Sequence, residues 1–142
     1  MGRTLDGFDV VPTVPLSIGD DVSAAADPLR GYAALYVGGM GSREQNFYNQ
    51  IARRMGFERE AAEIQDLFLG RQQREAAAAV PFEFIDRTAL LGSVERMAER
   101  IQALAAAGVT TLNISGYGAS QEQRVATLRA VAEALDKAGV GD

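Results

Sequence analysis

The chain opens on an alternation. Across residues 7–18, GFDVVPTVPLSI, Phe8, Val10, Pro12, Val14, Leu16 and Ile18 fall on one side and Asp9, Val11, Thr13, Pro15 and Ser17 on the other, the period-two pattern of a strand with one continuous apolar face. Pro12 and Pro15 cannot donate ladder hydrogen bonds, which either weakens the strand assignment or places the strand at a sheet edge. Gly19, Asp20 and Asp21 end it. The period then changes. Asp27-Pro28 supplies an N-cap followed by proline at the first helical position, and Leu29, Tyr32, Ala33, Tyr36 and Val37 recur at helical spacing until Gly38 and Gly39 stop them. Ser42 stands three residues before Gln45, the spacing of a capping box, and Phe47, Ile51 and Met55 form the next apolar stripe, ending at Gly56. A third helix is predicted over 59–69, with Ala61, Ile64 and Phe68 inward and Gly70 as terminator. Residues 71–80 are Ala-rich and helix-forming up to Pro81, and FEFIDRTALLG, 82–92, reads as a helical turn followed by loop.

The remaining third is more regular. Ser93 caps a helix in which Val94, Met97, Ile101, Leu104 and Ala105 share one stripe and Gly108 closes it. VTTLNIS, 109–115, alternates again: Thr110, Leu112 and Ile114 oppose Val109, Thr111, Asn113 and Ser115. Ser120 and Gln123 repeat the capping-box spacing before a final helix striped by Val125, Leu128, Ala132 and Leu135. The predicted order is strand 7–18, helical excursion 27–91, helix 93–107, strand 109–115 and helix 120–138. This is an α/β arrangement of two parallel strands and about six helices, taken as a single partial barrel domain over 1–142. Two strands cannot form a stable sheet alone, and a full (β/α)8 barrel takes about 250 residues. The chain is therefore expected to be incomplete, with room for roughly a quarter of such a barrel's strands plus a large helical excursion.

Composition narrows the chemistry. With 142 residues, 47% apolar and 23% charged, the profile is that of a soluble globular domain. A net charge of -5 and the lack of a basic stripe argue against a nucleic-acid partner. No 18-residue apolar run points to a membrane span, and a cytoplasmic location is expected. The chain has neither Cys nor His, which removes disulfides, Ser-His-Asp and Cys-His nucleophiles, and His- or Cys-ligated zinc. Chemistry must come from carboxylates, Tyr, Lys, Arg, backbone dipoles or a cofactor.

In parallel α/β folds the binding site lies at the C-terminal ends of the strands. Asn113 and Ser115 are expected at that lip on the second strand, with Thr13 and Ser17 playing the same part on the first. SGYGAS, 115–120, runs from a strand end through Gly116 and Gly118 to a helix start. That arrangement presents backbone N–H groups to an anion, although a short loop needs the same glycines for its own geometry. No Gly-Lys-Ser/Thr follows, so this is not a Walker loop. The glycines of GGMG, 38–41, follow a helix rather than a strand, which favours a hinge between packed helices over a phosphate cradle. Arg43 and Asn46 are then expected on solvated surface, as are Glu58, Glu60, Glu63 and Asp66, while Tyr32 and Tyr36 belong to the core. Asp20-Asp21, the one carboxylate pair at a plausible lip, reads as a strand end and helix start.

Four segments carry a family resemblance: DGFDVVPTVPLSIGDD; RGYAALYVGGMGSREQNFYNQIARRMGF; AAEIQDLFLGRQQREAAAAVPFEFID; and ALLGSVERMAERIQALAAAGVTTLNIS. Together they resemble the C-terminal part of the luciferase-like monooxygenase family, in particular its deazaflavin (coenzyme F420) dependent oxidoreductases. The resemblance implies the C-terminal portion of a (β/α)8 TIM-type barrel. It further implies coenzyme F420 or FMN as cofactor, a small-molecule substrate, and a homodimer or a missing N-terminal half as partner. On that reading Thr13, Ser17, Asn113, Ser115, Gly116 and Gly118 contact the cofactor, which itself carries the hydride, and the isolated chain is inactive. Two other roles fit the same residues: an inactive structural or dimerisation module, and a small anion-binding domain using Gly116 to Ser120.

Overall fold

The computed structural model describes residues 7–116 and 120–140. In chain order the elements are β1 (Thr13–Ile18), α1 (Val22–Ala34), a π-helical turn (Leu35–Gly39), α2 (Phe47–Arg54), α3 (Glu58–Leu69), α4 (Gln73–Ala78), α5 (Phe82–Thr88), β2 (Leu90–Gly92), α6 (Val94–Ala106), β3 (Asn113–Gly116) and α7 (Gln121–Ala138). They form two compact units, one of Asp21–Ala89 and the other of the chain up to Asp20 together with the chain from Leu90.

The second unit holds the sheet. Three parallel strands lie in the order β2-β1-β3, one strand more than the two predicted. The added strand is Leu90–Gly92, inside the stretch read as loop. All three of its residues are buried, and a buried parallel strand shows an unbroken apolar run rather than an alternation. Its insertion also moves β1 from the expected edge to the centre. Pro15 is tolerated there because of the register. Asn113 N–H donates to the Pro12 carbonyl at 3.1 Å, so even-numbered residues of β1 direct their backbone groups to β3 and odd-numbered ones to β2. Pairing with β2 begins only at Leu16↔Leu90, and the N–H that Pro15 lacks faces the side β2 has not yet reached.

Strands 7–18 and 109–115 are shorter than their alternation predicts. Val10 N–H donates to Thr110 Oγ1 at 2.9 Å, and the Val10 carbonyl accepts from the N–H groups of both Thr110 and Thr111. This irregular tether precedes the ladder. On the helix-covered face Val14, Leu16 and Leu90 pack with Met97, Ala98 and Ile101 of α6 and Ala134 and Ala138 of α7. The apolar stripe of α7 does not join them: Val125, Leu128 and Leu135 are 37%, 53% and 38% exposed, and the helix buries Thr127, Ala134 and Ala138 instead.

A two-residue clamp ties α7 to α6. Lys137 Nζ lies 2.6 Å from Glu95 and 3.3 Å from Glu133. The Lys137 hydrogen bond, aided by backbone and Ser93 hydrogen bonds, holds the Glu95 carboxyl at about 2, and Glu95 in turn raises Lys137 above its ordinary value. A depressed carboxylate contributes stability above its unfolded value and loses it as pH falls through the folded one. The stability difference between the parent chain and Lys137→Met should therefore be constant near neutrality, shrink below pH 4.5, and vanish only below pH 2 in urea titrations. Both groups are solvent-exposed, so the effect is small.

The first unit is helical. α1 begins at Val22, earlier than Asp27-Pro28 suggests, because Asp21 Oδ1 accepts from the N–H groups of Ser23 and Ala24 and caps it there. Asp27 pairs instead with Arg30 at 2.8 Å. Three helices end in the Schellman pattern, in which the residue just past the cap takes a left-handed conformation. After α2 it is Gly56 (φ 94°), after α6 Gly108 (φ 95°), but after α3 it is Arg71 (φ 63°) and not Gly70. Gln72 N–H to the Leu67 carbonyl (2.9 Å) and Arg71 N–H to Phe68 (3.0 Å) fix the assignment. Arg71→Gly should raise the unfolding free energy by about 1 kcal/mol, read as a higher urea midpoint with unchanged slope.

The GGMG segment answers to packing. Gly38 and Gly39 fall within the π-helical turn rather than in a left-handed terminator. A Cβ on Gly38 would lie 2.6 Å from Phe68 Cβ and 3.0 Å from the Ile64 carbonyl oxygen; one on Gly39 would meet the Phe68 ring. Gly41 (φ 156°) leaves no room for a Cβ beside the Gln45 backbone. Ser42 Oγ accepts from Gln45 N–H at 3.2 Å, yet the residue that caps α2 is Asn46, whose side chain accepts from Asn49 N–H. Asn46 is also 1% exposed rather than on solvated surface. Tyr32 and Tyr36 are half-buried, their rings 4.5 Å apart, and Tyr48 meets Tyr36 edge-on at 4.7 Å.

Candidate functional site

Two faces of the sheet differ in chemistry. The register pairs are Thr13↔Asn113, Pro15↔Ser115 and Ser17↔Leu91, and residues paired in a parallel ladder project to the same side. Val14 and Leu16 point to α6 and α7, so Thr13, Pro15, Ser17, Leu91, Asn113 and Ser115 line the face turned away from those helices. The four polar residues singled out from sequence thus share one face. Their depth along the strands differs. Thr13 and Asn113 open their strands, and Asn113 Nδ2 donates to Thr13 Oγ1 at 3.1 Å; this pair sits at the end opposite the lip where Asn113 was expected. Ser17 and Ser115 lie toward the C-terminal ends, Ser17 7% exposed and Ser115 open.

Glycines shape the lip itself. Gly19 N–H donates to the Gly92 carbonyl at 3.3 Å, joining the ends of β1 and β2 through two residues without side chains. Gly92, at φ 96°, occupies a conformation that other residues adopt only with strain. Gly116 pairs with Leu16 and has a packing role: a Cβ there would lie 3.3 Å from Thr127 Cγ2 of α7. Gly118, the remaining candidate, lies outside the described residues. Beyond it α7 starts with the full capping box, Ser120 Oγ accepting from Gln123 N–H and Gln123 Oε1 from Ser120 N–H. Glu122 adds a carboxylate to that first turn, which opposes a bound anion.

Hydroxyls, one amide and backbone groups therefore make up the described site. None of these titrates near neutral pH. The arrangement can bind and orient a polar planar group by hydrogen bonds, and it holds no nucleophile–base pair. Leu91 is the wall residue that sequence reading missed. The signal available was the apolar triplet ending in glycine, too short for any periodicity to declare itself.

The luciferase-like monooxygenase family matches residues 1–111. A protein of Mycobacterium tuberculosis (strain ATCC 25618 / H37Rv), named as a coenzyme F420-dependent oxidoreductase, is 32% identical over 126 residues, 89% of this chain and 36% of that protein. The structure of the coenzyme F420-dependent tetrahydromethanopterin reductase from Methanopyrus kandleri superposes with a TM-score of 0.67 at 22% identity, over 88% of this chain and 34% of that one. The chain thus spans about a third of the length of these relatives. The structural likeness shows the fold, a helix-dominated portion of a (β/α)8 barrel with three of its parallel strands. Among the described residues no helix is long and apolar enough to cross a membrane. By the extent of its sequence match and by its fold, the chain belongs to the luciferase-like monooxygenase family.

Proposed function

We propose that this chain forms one wall of the cofactor chamber of a coenzyme F420-dependent oxidoreductase that passes hydride between the deazaflavin and a small organic substrate. The observation that carries the reading is the parallel register that sets Ser17 and Ser115 on one face, near the C-terminal ends of adjacent strands. The names of the two relatives favour coenzyme F420 over FMN. The residues fit a neutral ring edge: two hydroxyls that donate or accept, and side-chain-free Gly19 and Gly92 at the lip where a planar group needs clearance. They fit a phosphate less well, since Glu122 flanks the start of α7 and Gly116 answers to Thr127.

When bound, the coenzyme supplies the hydride chemistry. Ser17 and Ser115 fix its orientation through hydrogen bonds, Leu91 excludes water beside Ser17, and the Thr13–Asn113 pair locks β1 to β3 below them. The chain's part is to bind, orient and shield, which suits a sequence without His or Cys.

The test is a chimera in which this chain replaces the matching segment of the M. tuberculosis relative. Fluorescence titration should show saturable coenzyme F420 binding, and Ser17→Val with Ser115→Val should weaken it about tenfold to a hundredfold, the scale of two lost hydrogen bonds. A folded chimera that binds no coenzyme, or a double variant that binds as tightly as its parent, would overturn the reading.

A further inference from the structure

We draw no further inference here: the strongest candidate, the aromatic surface patch of the helical unit in which Tyr36 of the π-helical turn meets the exposed rings of Tyr48 and Phe47 at the start of α2, carries nothing because nothing in the structure shows what covers it.

Discussion

Gly38→Ala should lower the unfolding free energy by about 3 kcal/mol, and removing the neighbouring aromatic ring should not rescue it. The added Cβ would stand 2.6 Å from Phe68 Cβ and 3.0 Å from the Ile64 carbonyl oxygen. Both are fixed by α3: the Cβ persists in Phe68→Ala, and the carbonyl belongs to a helix that cannot yield locally. Gly39→Ala is the matched control. The three atoms its Cβ would meet first all belong to the outer Phe68 ring, with Cδ1 at 2.8 Å and Cζ at 3.0 Å among them. Phe68→Ala deletes those atoms, so the double-mutant cycle should show a coupling of about 1–2 kcal/mol at Gly39 and near-additivity at Gly38. Urea unfolding of the seven proteins, parent, three single and two double variants plus Gly38→Val as an upper bound, measures both numbers. Rescue of Gly38→Ala by Phe68→Ala would show that the π-helical turn, and not α3, gives way.

That pair of glycines also shows what was legible in the sequence. GGMG announced an interruption between helices, and a hinge was the reading that context favoured. The reason for the glycines was hidden, because it lies in Phe68 and Ile64 some thirty residues on. Local signals served well where the deciding partner is local: Ser93 and Ser120 cap α6 and α7, and Gly56 and Gly108 close α2 and α6. They misled by one to six residues where two local signals compete, as Asp21 does with Asp27, Asn46 with Ser42 and Arg71 with Gly70.

At larger scale the alternation placed Thr13, Ser17, Asn113 and Ser115 on one face, and the register agrees. Depth along the strands was not legible, since it depends on where pairing starts. The Val10–Thr110 tether delays the ladder to Thr13↔Asn113 and drops Asn113 from the lip to the opposite end. Nor did the α7 stripe disclose its own exposure. An apolar stripe records that a helix face is meant to be covered, and says nothing of whether the cover lies within the same stretch of chain.

Asn49→Ala should cost about 3 kcal/mol, as much as Gly38→Ala, although it removes no apolar packing. Asn49 is 3% exposed, and its amide spans two elements: Nδ2 donates to the Val37 carbonyl at 3.0 Å and to the Ala61 carbonyl at 2.7 Å, while Oδ1 accepts from Arg53 Nε at 2.8 Å. The π-helical turn and α3 are thereby joined through a single side chain from α2. Asn46 supplies a second donor to the Val37 carbonyl at 3.0 Å, so that oxygen stays partnered in the variant. The Ala61 carbonyl loses its side-chain donor in a site closed to water, and each such loss costs about 1–3 kcal/mol. Arg53 must then find another acceptor. Asn49→Leu restores volume without the amide and should be no more stable than Asn49→Ala, which separates the hydrogen bonds from the cavity. A leucine that recovers most of the lost stability in urea titration would show that Asn49 acts by filling space, and that the Ala61 carbonyl is satisfied without it.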